Sequence, residues 1–261
     1  MIAQIQTLYR YRALIRSLVG RDLKARYRGS FLGFLWSFIN PLLLLLTYGV
    51  VFTYMLPMRV HGGEPYFLFL FCGILPWTWF SSSVAESSGV LISGGNLIKK
   101  VLFPAEVLPT VTVFANFVHF ALGLPILLLF LALEGKLGWS ALLLPVPLLV
   151  QMVLTLGMAL FVSALTVHFR DIQNLLNHLM QLWFFSTPVL YSFTSLESEA
   201  LRSVLRFNPM THVMKAYHDL LFDGIARFQR GLGLSALAAL AAFALGAFLF
   251  ERLRDTLAEE V

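Results

Sequence analysis

The chain has 261 residues, 58% of them hydrophobic and only 13% charged, with a net charge of +5. Soluble domains carry about 25% charged residues, so an ordinary globular protein is excluded and a polytopic membrane protein is indicated. Seven of the 19 Lys and Arg fall in residues 1–30, beside the first apolar run, which points to a membrane surface rather than to nucleic acid.

Residues 1–30 are predicted to form an amphipathic helix lying on the membrane. At about 100° per residue, Leu8, Tyr11, Leu14, Ile15, Leu18 and Val19 share one face, and Arg10, Arg21, Lys24 and Arg28 gather opposite. Arg12 and Arg26 fall off this pattern. The alternative is a basic tail that only enforces topology.

Six apolar runs reach the length of about 20 residues that a spanning helix needs. They cover 31–56, 66–85, 107–133, 141–168, 172–191 and 231–250. The first is too long for a signal-peptide core and no A-x-A-like site follows, so it is expected to stay in the mature protein. Asn40-Pro41 sits inside it, where proline removes a backbone donor and bends or loosens the helix. The second run contains "GILPWTWF", with Trp77, Trp79 and Phe80 around Pro76. Cys72 is the only cysteine, so there is no disulfide framework.

Between the second and third runs lies "SGGNLIKKVLFPAEVLP". Asn96 can cap a short helix that Pro104 ends, exposing Lys99 and Lys100 beside an apolar edge of Leu97, Val101 and Phe103. The join "HFRDIQN" between the fourth and fifth runs implies a tight hairpin. The fifth run, with "LWFFSTPVLY", contributes Trp183, Phe184, Phe185 and Tyr191 beside Pro188.

Segment 192–230 is predicted to hold two helices too short to span. Thr194 with Glu197 forms a capping box for the first, through about Phe207. Asn208 caps the second, Pro209 starts it and Gly224 ends it. Met210, Val213, Met214, Tyr217, Leu220 and Leu221 form its apolar face, so re-entrant or interface-lying helices are expected. With the N-terminus inside, the cytoplasmic pieces hold 12 of the 19 Lys and Arg, and both termini are expected to be cytoplasmic.

None of the six runs contains Asp or Glu, which argues against an ion- or proton-coupled transporter. Their polar groups Asn116, His119, Gln151, His178 and Gln181 suit interhelical hydrogen bonds. No G-x-x-x-x-G-K-[ST] loop, H-E-x-x-H or C-x-x-C is present, and the spacing of His212, His218 and Asp219 fits no metal pattern. The aromatics suit either an interfacial belt or a conduit on which sugar rings stack.

In order along the chain, "RDLKARYRGSFLGFLW" with the following "NP", "GILPWTWF", "NLIKKVLFP" with Glu106 and Pro109, "FRDIQ", "TPVLY" and "NPMTHV" make a specific set. Together they resemble the transmembrane permease of bacterial ABC exporters of lipid-linked polysaccharide, the O-antigen permease family, with teichoic-acid and capsule exporters as relatives. The resemblance implies an all-α inner-membrane permease of six spans over residues 1–261 as one transmembrane domain. It implies a homodimer on two copies of a separate nucleotide-binding ATPase subunit, which would hold ATP and Mg; this chain itself would bind no cofactor or metal and catalyse nothing. Coupling to the ATPase falls to Arg21, Asp22, Lys24, Arg26 and Tyr27 and to Asn96, Leu97, Lys99, Lys100 and Phe103. Phe34, Trp36, Phe38, Trp77, Trp79, Phe80, Trp183, Phe184, Phe185 and Tyr191 become conduit candidates. Asn40, Pro41, Asn208, Pro209, Met210 and Met214 become hinge and external-gate candidates. Two other readings remain: an ABC permease for a drug or small lipid, and a membrane glycosyl- or acyltransferase using Asp171 or Asp219 with His218.

Overall fold

The computed structural model describes residues 2–55, 65–94, 104–193, 198–226 and 230–260. Among the described residues ten α-helices follow one another, and no strand occurs. They are α1 (Ile2–Arg10), α2 (Arg12–Arg26), α3 (Trp36–Val50), α4 (Tyr66–Ser93), α5 (Val107–Leu133), α6 (Pro145–His168), α7 (Ile172–Phe185), α8 (Glu199–Arg206), α9 (Pro209–Tyr217) and α10 (Arg230–Glu260). Turns of π-helix extend α3 over Val51–Met55 and α9 over His218–Phe222.

Five of these segments are long and apolar enough to cross a bilayer: Gly33–Met55, Tyr66–Ser93, Val107–Leu133, Trp139–His168 and Arg230–Leu253. The fifth predicted span departs from expectation. Its helix α7 has 14 residues, about 21 Å, against a hydrocarbon core of about 30 Å. Turns at 186–190 then replace the helix as Pro188 is reached.

The hub of the bundle is α4, buried over 78% of its apolar window, against 11% for the span built on α3. Around it pack α3, α5, α6 and α7, with α10 behind α6. The α6–α10 contact is backbone on backbone: a Cβ on Gly157 would lie 2.4 Å from Phe243 N, and one on Gly246 2.3 Å from Gly157 O. Two such glycines let helices approach where no water-driven hydrophobic force joins them.

The two ends of the bundle are held by different contacts. At one, Ile15 and Leu18 of α2 pack with Leu91, Val107, Leu108, Val111, Leu160, Val167 and Phe250. The amphipathic face of residues 1–30 therefore docks mainly on protein. It forms two helices meeting at Tyr11, not one, and ends at Arg26. The chain then turns into the span through Gly29, whose φ of +79° is cheap only for glycine. At the other end, Ser140 Oγ donates to Leu220 O (2.7 Å) and Lys136 sits 4.0 Å from the Phe222 ring centre.

The path of α7 links these ends. A Cβ on Gly89 would lie 3.0 Å from Gln173 Nε2, and the Tyr66 hydroxyl donates to Leu190 O. Residues 173–190 thus run alongside α4 over nearly its whole length.

The caps and the length of α4 also differ from expectation. The helix before Asn208 starts at Glu199, capped by Ser198, whose side chain accepts from Leu201 N; the proposed Thr194–Glu197 box lies outside the described residues. The second predicted run stops at 85, whereas α4 continues to Ser93 and so carries Glu86 into a membrane helix. The expectation of acid-free spans fails at that residue. Asn96, Leu97, Lys99, Lys100 and Phe103 lie outside the described residues.

Candidate functional site

Glu86 is the only acid between Glu64 and Glu106, and it sits in the serine-rich run "SSSVAESSG". It is seven residues before the end of α4, about 10 Å inside the α2 end of the bundle. A carboxylate there needs a partner, and α2 supplies one. Arg26 Nη2 and Nη1 donate to Glu86 Oε2 (2.6 Å) and Oε1 (3.2 Å), a bidentate pair, while Arg26 Nε donates to Asp22 Oδ2 (2.8 Å). Only 28% of the Arg26 side chain is exposed. Burial works against its charge, but the hydrogen bonds and negative charges of Glu86 and Asp22 outweigh it and hold the guanidinium above its ordinary range.

From α5, Asn116 completes the cluster: Nδ2 donates to Glu86 Oε2 (2.9 Å) and Oδ1 accepts from Arg26 Nη1 (3.4 Å). One turn further, His119 Nδ1 lies 3.4 Å from the Tyr27 hydroxyl, which accepts from Ser37 Oγ (2.9 Å). Four elements, α2, α3, α4 and α5, are thereby tied by side chains. They enclose a cavity of about 390 Å³ lined also by Trp36, Asn40, Pro41, Thr78, Trp79 and Ser82.

The cavity unites residues that the sequence assigns to separate roles: Arg26 and Tyr27 from the coupling set, Trp36 and Trp79 from the conduit set, Asn40 and Pro41 from the hinge set. Ser37 and Glu86 are missed by the sequence reading. Arg21 and Lys24 are exposed on the opposite face of α2. The cluster has no catalytic arrangement, because both carboxylates are held by Arg26 and general acid–base chemistry needs one free to move a proton. Asp171 lies exposed at the start of α7, and His218 is stacked on Phe69 at 3.9 Å with Nε2 3.1 Å from Phe69 O. No group of three or more metal-binding side chains occurs among the described residues.

A second knot closes the far end. Asn208 Oδ1 accepts from Met210 N (3.0 Å) and Trp183 Nε1 (2.9 Å); its Nδ2 donates to Ser186 O (2.8 Å) and Thr187 Oγ1 (2.9 Å). Asn208-Pro209 is therefore a fastened joint between α7 and α9. Met210 and Met214 are fully buried, because α9 packs its apolar face on α4, α6 and α10. α8 exposes Leu201 and Val204 at this end, with Phe207 just beyond it.

The conduit candidates divide. Trp77, Trp79 and Phe80 are buried around the hub, and Trp183 and Phe184 pack onto Phe80 (5.1 Å) and Trp77 (5.6 Å). The Tyr191 hydroxyl donates to Phe185 O at 3.2 Å. Phe34, Phe38 and Phe185 face outward. Exposed on α7 beside Phe185 are Gln173, Asn174, Asn177, His178 and Gln181, a polar stripe of which sequence reading noted only His178 and Gln181, as hydrogen-bonding groups.

Known proteins bear on this arrangement. Residues 13–222 match the ABC-2 type transporter membrane family. The chain is 41% identical over 265 residues, the whole of both chains, to the O-antigen export system permease protein RfbA of Myxococcus xanthus. It is 32% identical over 218 residues, 83% of each chain, to a protein of the same name from Klebsiella pneumoniae. The polysialic acid transport protein KpsM of Escherichia coli is 22% identical over 236 residues, 86% of each chain. With the match covering most of its length and the helices arranged as described, the chain belongs to the ABC-2 type transporter membrane family.

Proposed function

We propose that this chain is the channel-forming transmembrane subunit of an ATP-driven exporter that moves lipid-linked polysaccharide of the O-antigen type across the inner membrane. The observation that carries the reading is full-length identity of 41% to an O-antigen export permease. The exposed face of α7 supplies a physical means. Asn, Gln and His at membrane depth are unfavourable against lipid and suit a water-filled conduit for a hydroxyl-rich polymer.

Two copies of the chain enclose that conduit, with the largely exposed α3 and α7 of each turned towards it. Two ATPase subunits, which hold ATP and Mg, drive it from the cytoplasm, because this sequence has no phosphate loop. Residues 172–190 make the sixth crossing as a short helix completed by an unwound stretch; the neighbours Gly89 and Tyr66 at its two ends support this. The α2 end is cytoplasmic, as the bias of Lys and Arg towards it supports. The Arg26–Glu86–Asn116 knot transmits ATPase motion from α2 to the hub helix, and α8 and α9 form the outer gate.

The test is a deletion strain. Lipid-linked O-polysaccharide should accumulate inside the cell, and export should return only when this chain and its ATPase are both supplied. Accumulation of a capsule-type polymer would move the assignment to the chemistry named for the more distant relative. No change in any glycan would overturn it.

A further inference from the structure

Nearer the start of α2, away from the polar cavity at its end, lies an almost wholly apolar groove of about 410 Å³. Ile15 and Val19 of α2 form one wall, Phe114 and Val118 of α5 the other, with Leu156 of α6 behind. Its rim is cationic, formed by Arg12 and Arg16. Arg16 is exposed and has no ion-pair partner among the described residues. Arg12 rests 4.3 Å from the centre of the Tyr9 ring and donates to Tyr9 O at 3.1 Å, and it too has no carboxylate partner among the described residues. The acid of α2, Asp22, is engaged by Arg26.

We propose that this groove binds one anionic glycerophospholipid of the leaflet at the α2 end, with an acyl chain between α2 and α5 and the phosphate between Arg12 and Arg16. Depth and charge agree. Phe114 and Val118 lie seven and eleven residues into α5, about 10–16 Å from its start, where acyl chains are found. The two guanidiniums stand at the edge, where headgroup phosphates are found. Position separates this lipid from transported cargo: the groove opens between α2, α5 and α6, whereas the exposed polar stripe is on α7. A bound lipid fills the space left where α2 does not close on α5, and wedges the interface helix in its docked orientation. The proposal rests on the membrane reading of the chain and is independent of which polymer is exported.

Native mass spectrometry of the full chain, purified in mild detergent and then exchanged into discs of phosphatidylglycerol or phosphatidylcholine, tests it. One phosphatidylglycerol per protomer should survive detergent washing, and phosphatidylcholine should not. The double variant R12Q/R16Q should hold it roughly 30-fold more weakly, each arginine contributing about a 5-fold step. R12K/R16K should retain most of the binding. V118W fills the groove without altering charge and should lose the lipid together with the thermal stabilisation that phosphatidylglycerol gives the wild type. Equal retention of both lipids, or retention unchanged in V118W, would overturn the proposal. So would a retained mass matching a polyprenyl carrier, or a cysteine at Val118 that crosslinks to a second copy.

Discussion

Arg26 carries more connections than any other charged side chain among the described residues, and its partners come from three helices. Glu86→Gln keeps an amide able to bond Asn116 but removes the charge that holds the guanidinium; Glu86→Ala removes both. Because 40% of the Glu86 side chain is exposed, the loss of stability should be modest, on the order of 1 kcal/mol. Export should fall by tenfold or more if the pair transmits force. Polymer at the cell surface, compared with membrane-inserted subunit on the same blots, checks this, and parallel losses would reduce the pair to a packing contact. Asn208 is the corresponding residue at the far end. Asn208→Ala loses the helix cap, about 1 kcal/mol, and every tie to α7. Asn208→Asp keeps the two acceptor bonds but cannot donate to Ser186 O and Thr187. Export in the order wild type, Asp, Ala is expected, and an Asp variant equal to wild type would mean that the cap alone matters. Glu86 escaped the sequence reading because apolarity falls off at Ser81 while the helix does not. Asn208 was legible as a cap and a break, but its four side-chain bonds depend on a turn that no local pattern encodes.

At the level of elements, the longest shared surface joins α6 and α10 through Gly157 and Gly246. Gly246→Val places a branched side chain where the Cβ alone would meet Gly157 O at 2.3 Å. Helices must then separate, at a cost above about 2 kcal/mol from overpacking. Lower thermal stability and faster proteolysis of purified protein should result, and an unchanged melting temperature would show that the helices do not pack this closely. The sequence showed α10 as an apolar run, but which of its faces meets α6 depends on a partner nearly 90 residues away. The fifth run illustrates the opposite limit. Hydropathy stays high through "STPVLY", and apolarity alone cannot distinguish helix from an unwound apolar stretch buried in protein. The other long runs were read as helices, the second one too short, because a lone apolar segment crossing lipid must satisfy its backbone groups within itself.

For the whole molecule, the division of labour is the main expectation. The purified chain in lipid should hydrolyse no ATP above background, and turnover should appear only with an ATPase subunit. Robust turnover by the chain alone would refute that division. Orientation is tested by single cysteines in a cysteine-free background, with Cys72 replaced. In intact cells a membrane-impermeant maleimide should label a cysteine at Lys136 and leave one at Arg16 unlabelled. The reverse pattern would invert the molecule.

The central position of α4 also bears on how the protein is made. Its neighbours α5, α6, α7 and α9 are all synthesised after it, and Glu86 meets Asn116 only when α5 has entered the membrane. A chain arrested after α4 therefore leaves a carboxylate with its arginine, but without its amide, facing lipid on a helix whose surface is shaped for protein. Such a nascent chain should be held by insertion factors or destroyed by membrane proteases until α5 arrives. Pulse-chase of chains truncated at residues 94 and 134 should show the longer one surviving several times as long. Quality control of biogenesis would then read the same Glu86–Asn116 pairing that the finished subunit uses to join its helices.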